Sequence, residues 1–138
     1  MNGPSDDAAG ARPWVEKAEN DLRNAEHTLT MAEGCPFDTV AFHAHQCAEK
    51  YLKALLVLKS EDFPRTHDLR VLLQMAAAAA PVELSMGEVL ELNRYAVEAR
   101  YPGDWEPIGR PDAEHAVDLA RQVRAAVRAV LPDGALPA

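Results

Sequence analysis

The sequence predicts an all-α fold, an up-and-down bundle of five helices with a four-helix core and one extra helix. Three observations predict it. Ten prolines punctuate the 138 residues, at 4, 13, 36, 64, 81, 102, 107, 111, 132 and 137. Proline lacks an amide hydrogen and clashes with the preceding helical turn, so it belongs at helix starts or outside helices. The intervals are of helical length and carry apolar residues at three- and four-residue steps, and no segment shows the two-residue alternation of a half-buried strand.

Helix one is expected from Pro13 to Ala32, with Trp14, Ala18, Leu22, Ala25, Leu29 and Ala32 in one stripe. Asp38 is the expected cap of helix two, which runs to Lys59. Its stripe, Val40, Ala44, Cys47, Ala48, Tyr51, Leu55 and Leu58, is widened by Phe42, Leu52 and Leu56. That breadth predicts a central helix. Thr66 is the expected cap of helix three, with Asp68 in its first turn and Leu69, Leu72, Leu73 and Ala76 facing the core. Ser85-Met-Gly-Glu88 is a capping-box pattern that opens helix four, followed by Val89, Leu92, Ala96 and Ala99 on one face. Tyr101 to Arg110 is a proline- and glycine-rich loop. Pro111 suits the first position of helix five, whose stripe is Ala113, Ala116, Val117, Ala120, Val123, Val127 and Val130. Residues 1–11 and 132–138 are expected to be flexible tails around a single domain, 12–131. Short connections favour antiparallel neighbours.

Composition bounds the function. Hydrophobic residues make up 48% and charged residues 26%, so the chain is globular, and 6% aromatics leave a core of Leu, Val and Ala. A net charge of −8 disfavours indiscriminate phosphate contact, and no DNA partner is expected. Cys35 and Cys47 have neither metal-ligand nor CxxC spacing. They read as reduced thiols of a cytoplasmic protein. No apolar run reaches membrane-spanning length, and no signal segment opens the chain.

Few patterns carry chemistry. His43 and Cys47, or His45 and Glu49, stand four apart and could share an ion. The paired Glu-x-x-His motifs of di-iron bundles are missing, however, and polar positions on a helix flank explain these residues more simply. No metal or cofactor is expected. There is no nucleophile elbow, no P-loop or dinucleotide glycine pattern, and no aspartate cluster for nucleotidyl transfer. His43, Gln46, Lys50 and Lys53 repeat at heptad spacing, with Glu49 beside them, and make a polar seam on helix two. That seam is either satisfied by a neighbour and solvent or forms the wall of a cleft or subunit interface. Arg110 and His115 straddle a loop and a helix start. An arginine fork can hold a phosphate and a histidine can move protons near neutral pH, the two functions that metal-free RNA cleavage by the 2′-hydroxyl needs. On spacing alone the plainer reading has the larger share: a solvated loop arginine and a helix-surface histidine.

Helix two is also familiar as text. Ala41-Phe-His-Ala-His-Gln46-Cys-Ala-Glu-Lys50-Tyr-Leu-Lys53-Ala resembles the signature helix of the HEPN domain (higher eukaryotes and prokaryotes nucleotide-binding). Pro64-Arg-Thr-His67-Asp-Leu69 resembles the family's Pro-x-x-His-x-Leu turn, and Ala99-Arg100-Tyr101-Pro102 its Arg-Tyr-Pro helix end. Asp21-Leu22 fits as well. The resemblance spans roughly residues 12 to 131, and its specificity lies in the motifs occurring together and in order.

The resemblance implies a five-helix bundle that commonly forms a homodimer. It also implies a possible partner, a minimal nucleotidyltransferase acting as antitoxin to a HEPN toxin. Active members resemble metal-independent endoribonucleases with an Arg-x(4–6)-His motif, which Arg110 and His115 match. On this reading Arg110 stabilises phosphoryl charge and His115 is general acid or base. Arg100, Tyr101, Trp105 and Lys53 would contact RNA or nucleotide. The alternative is a non-catalytic dimeric module that binds a nucleotide or a nucleotidyltransferase. Val117 stands where a related branch carries a nucleotide-modified tyrosine, so that modification is not expected at this position.

Overall fold

The computed structural model describes residues 6–96 and 107–137. The order is α1 (Asp6–Leu29), α2 (Phe37–Leu58), α3 (Leu69–Ala79), α4 (Met86–Leu90) and α5 (Arg110–Arg128). A 3-10 turn, Glu91–Tyr95, continues α4, and another, Asp133–Ala135, follows α5. The expected all-helical class and the five helices are therefore present, with no strand among the described residues.

Helix α2 is the centre. Tyr51 to Leu56 are buried in succession, more than a full turn, which only a helix enclosed on all sides achieves. It packs on α1, α3, α5 and the first 3-10 turn. Paired side chains set the directions. Asp21 of α1 meets His43 and Lys50 while Glu19 meets Tyr51, and Glu26 meets Arg121 of α5 while Glu19 meets Arg124. Arg12 meets Gly134 beyond the end of α5. Thus α1 runs antiparallel to both α2 and α5.

Several boundaries differ from the sequence reading. The amino-terminal segment read as a tail is helical from Asp6, and α1 passes through Pro13. Pro13 removes one hydrogen bond, to the carbonyl of Ala9, and Ala9 lies on the exposed face where water can replace it. Burial of Ala8 and Ala11 keeps the first turns in place. The carboxy-terminal segment is also held: Ala135 is buried, and the Arg12 guanidinium donates twice to the Gly134 carbonyl, at 3.1 and 2.6 Å. Ala32 lies beyond the end of α1 and is exposed. Asp38 sits inside α2 and its carboxylate accepts the Thr39 amide, while Pro36 occupies the cap position. Thr66 is displaced as cap by Asp68, which accepts the Arg70 amide; the Thr66 hydroxyl accepts the Asp68 amide instead. Ser85 caps α4 as expected. Helix five begins one residue early, so Arg110 is its first residue rather than the last of a loop. Gly109 caps it, its amide held by Asp112. The remainder of the expected helix four, through Ala99, lies outside the described residues.

Candidate functional site

The polar seam of α2 is satisfied from three directions. His43 and Lys50 are seven apart, hence on one face, and both reach Asp21 on α1. His43 Nδ1 lies 2.9 Å from one carboxylate oxygen and the Lys50 ammonium donates to the other. Glu49, 3% exposed, turns toward the segment before α3. It accepts Lys53 Nζ at 2.9 Å and lies 2.8 Å from His67 Nδ1. His45 is wholly buried and donates its Nε2 hydrogen to the His67 carbonyl at 2.9 Å. A turn further on, the Tyr51 hydroxyl donates to Glu19 at 2.6 Å, and Arg124 grips the same carboxylate with Nε at 2.8 Å and Nη2 at 3.0 Å. The histidines and Glu49 that could have shared an ion thus hold other groups. Among the described residues no group of three or more His, Cys, Asp or Glu is placed so that it could hold a metal ion.

Burial sets the protonation of this network. It pushes the His45 imidazole below its ordinary value, with the Glu49 charge opposing. It pushes the Cys47 thiol far up, reinforced by the charges of Glu19 and Asp21, so Cys47 is no nucleophile at neutral pH. Burial would also raise Glu19, but hydrogen bonds from Arg124 and Tyr51 and the charges of Arg124 and Arg128 hold it below the usual carboxylate range. The pH dependence follows. A depressed histidine leaves the unfolded chain binding more protons below about pH 6.5, and a depressed glutamate does so below about pH 4.3. Stability is therefore full above about pH 6.5 and falls on acidification first through His45 and then through Glu19. Thermal melts from pH 8 to 4 check this, and a His45→Gln variant is expected to lose the upper part of the fall. A stability that rose between pH 6.5 and 5.5 would contradict it.

Arg110 and His115 are not brought together within the chain. Arg110 Nη1 donates to the Leu29 carbonyl at 3.0 Å and Nη2 to the Met31 carbonyl at 2.9 Å. Its guanidinium carbon lies 5.0 Å from the Phe37 ring centre. It closes the carboxy-terminal end of α1, where carbonyls lack helical partners and a positive charge is favoured. Five residues on a helix correspond to about 500°, so His115 points about 140° away around α5. There its Nε2 lies 2.9 Å from the exposed Glu91 carboxylate. Lys53, expected to contact a ligand, is buried against Glu49 with the Trp14 and Phe63 rings each 5.8 Å from its nitrogen. Arg100, Tyr101 and Trp105 lie outside the described residues.

One grouping was missed in the sequence. Trp14, placed in the core stripe, is only half-buried, edge-on to Phe63 at 6.1 Å. With Pro13, Lys17 and Lys50 it lines a small open slot between α1 and α2. A lysine count would have pointed there: the chain has four lysines, and Lys17, Lys50 and Lys53 surround this tryptophan.

The family model for the HEPN domain matches residues 11–130. Two solved structures are similar in fold. One is TT1696 from Thermus thermophilus, 29% identical, covering 86% of this chain and 96% of its own, with a TM-score of 0.69. The other is ST0689, described as an archaeal HEPN homologue, 21% identical, covering 88% of this chain and 98% of its own, with a TM-score of 0.66. No curated protein matches the sequence significantly. No helix among the described residues is long and apolar enough to cross a membrane.

Proposed function

The chain belongs to the HEPN domain family, and on that premise we propose that it acts by binding rather than by catalysis, as a homodimeric cytoplasmic module for a nucleotide or a nucleotidyltransferase partner. One observation carries this reading. The guanidinium that would neutralise a phosphate is engaged by the Leu29 and Met31 carbonyls, and the histidine that would move a proton faces Glu91 instead. A phosphoryl-transfer site needs both groups within about 3 Å of the reacting atoms.

A second reading keeps the ribonuclease and toxin role. It is favoured by the exposure of His115 and by the gap of four residues after Arg110, which leaves the imidazole available to a second chain across a dimer axis. Incubating the purified protein with single-stranded RNA in EDTA separates the two. No cleavage is expected from the wild type. Cleavage that His115→Ala abolishes would establish the catalytic reading in its place. Light scattering at micromolar concentration is expected to give twice the 15.1 kDa chain mass, and a mass of one chain would remove the dimer.

A further inference from the structure

We propose that the groove between α5 and the segment leading into α4 docks a basic amphipathic helix of a partner protein. The groove encloses about 770 Å³. Pro81 and Leu84 line one side, and Ala125, Ala126, Ala129 and Val130 line the other. The proposal goes beyond the reading above and is independent of it. Fifteen residues of helix, about 22 Å, separate Arg110 from Ala125, so nothing at the groove decides whether RNA is cleaved.

The shape suits a helix. Ala125 and Ala129 are exposed and reach no further than Cβ, and Ala126 and Val130 beside them are half-buried. A surface with so little side chain lets a second helix axis approach to about 8–10 Å and fill the space with its own leucines or phenylalanines. Gln122 to Val130 span about 12 Å along the axis, enough to seat two turns of a bound helix.

The charge of the groove identifies the kind of partner. Glu83 and Glu88 line it and are exposed, and among the described residues neither has an ion-pair partner. The arginines of α5 are drawn elsewhere: Arg124 and Arg128 to Glu19, and Arg121 to Glu26 and Asp118. No Lys, Arg or His lines the groove. The last turn of α5 borders it, and the carbonyls there add partial negative charge. An apolar helix flanked by Lys or Arg complements these charges, whereas an acidic one is repelled. A second copy of this chain fits less well, because a two-fold contact would bring the same carboxylates toward one another.

The test is fluorescence anisotropy of the full chain with a labelled synthetic peptide of about 14 residues, four turns of helix, with leucines on one face and lysines flanking them. It is expected to bind at micromolar concentration, and more weakly as salt is raised. The same peptide with glutamate in place of lysine is expected to bind at least about tenfold more weakly. Glu83→Lys combined with Glu88→Lys is expected to weaken the lysine peptide about tenfold. Glu16→Lys combined with Glu61→Lys, which reverses two exposed carboxylates away from the groove, is expected to leave it nearly unchanged. Ala125→Gln keeps a helix-favouring residue at an exposed position while filling the groove, and is expected to cost about tenfold. Equal affinity for the two peptides, equal losses in the two charge-reversed pairs, or affinity unchanged by Ala125→Gln would each overturn the proposal. So would a wild-type mass of two chains that fell to one chain in Ala125→Gln, since the groove would then seat a second copy.

Discussion

Replacing Glu49 with alanine is expected to cost about 3–5 kcal/mol, the effect of removing one partner from a buried ion pair. The Glu49 side chain is 4% exposed and that of Lys53 10%, so solvent screens their attraction little. The loss falls on two neighbours at once. Lys53 is left as a buried cation beneath Trp14 and Phe63, and His67 loses the carboxylate at its Nδ1. A domain of this size is stable by about 5–15 kcal/mol in total, so the variant is expected to melt about 10–20 °C lower. Differential scanning calorimetry at neutral pH reads this directly. The reason for the cost is checked by Glu49→Leu combined with Lys53→Met. Removing both charges leaves none uncompensated, and apolar replacement of a buried pair is often near neutral. The double variant is expected to regain at least half of the loss. A single variant that lost less than about 1 kcal/mol would show that water already solvates the pair.

Glu49 also shows how far the sequence carried. Proline punctuation and apolar spacing gave the helices and the central place of α2, because both are local properties of a chain. The misplaced boundaries were settled by distant contacts. Pro13 lies inside α1 because Ala8 and Ala11 are buried and Arg12 reaches Gly134, 122 residues away. Asp68 rather than Thr66 caps α3, and Asn93 donates to the same Asp68 oxygen. The seam His43, Gln46, Glu49, Lys50 and Lys53 was legible as a polar stripe. Its partners were not, since a periodicity cannot report that Asp21 faces His43 or that His67 faces Glu49. Those partners lie in the other motifs that carry the family resemblance. The signature of the chain is in large part the wiring that fastens α2 to α1 and to the turn before α3.

The same distinction governs Arg110, for which alanine is expected to cost about 2 kcal/mol and lower the melting temperature by about 8 °C. The side chain donates two charge-assisted hydrogen bonds to carbonyls at the end of α1 and lies against Phe37. All three contacts are lost together. Arg110→Lys is expected to recover only part of the stability. An ammonium can reach one carbonyl at a time, and it lacks the flat face that meets the ring. A residue reserved for phosphate chemistry would behave differently, its alanine variant staying within about 0.5 kcal/mol of the wild type as surface substitutions do. His115 supplies the internal control. Its pair with Glu91 is more than half exposed on both sides, so His115→Ala is expected to leave the melting temperature nearly unchanged. A melt in which Arg110→Ala also left it unchanged would release the guanidinium from its structural role and return it to the candidates for catalysis. The expected contrast, a large loss at Arg110 and none at His115, assigns the two residues to different tasks although the sequence sets them five apart.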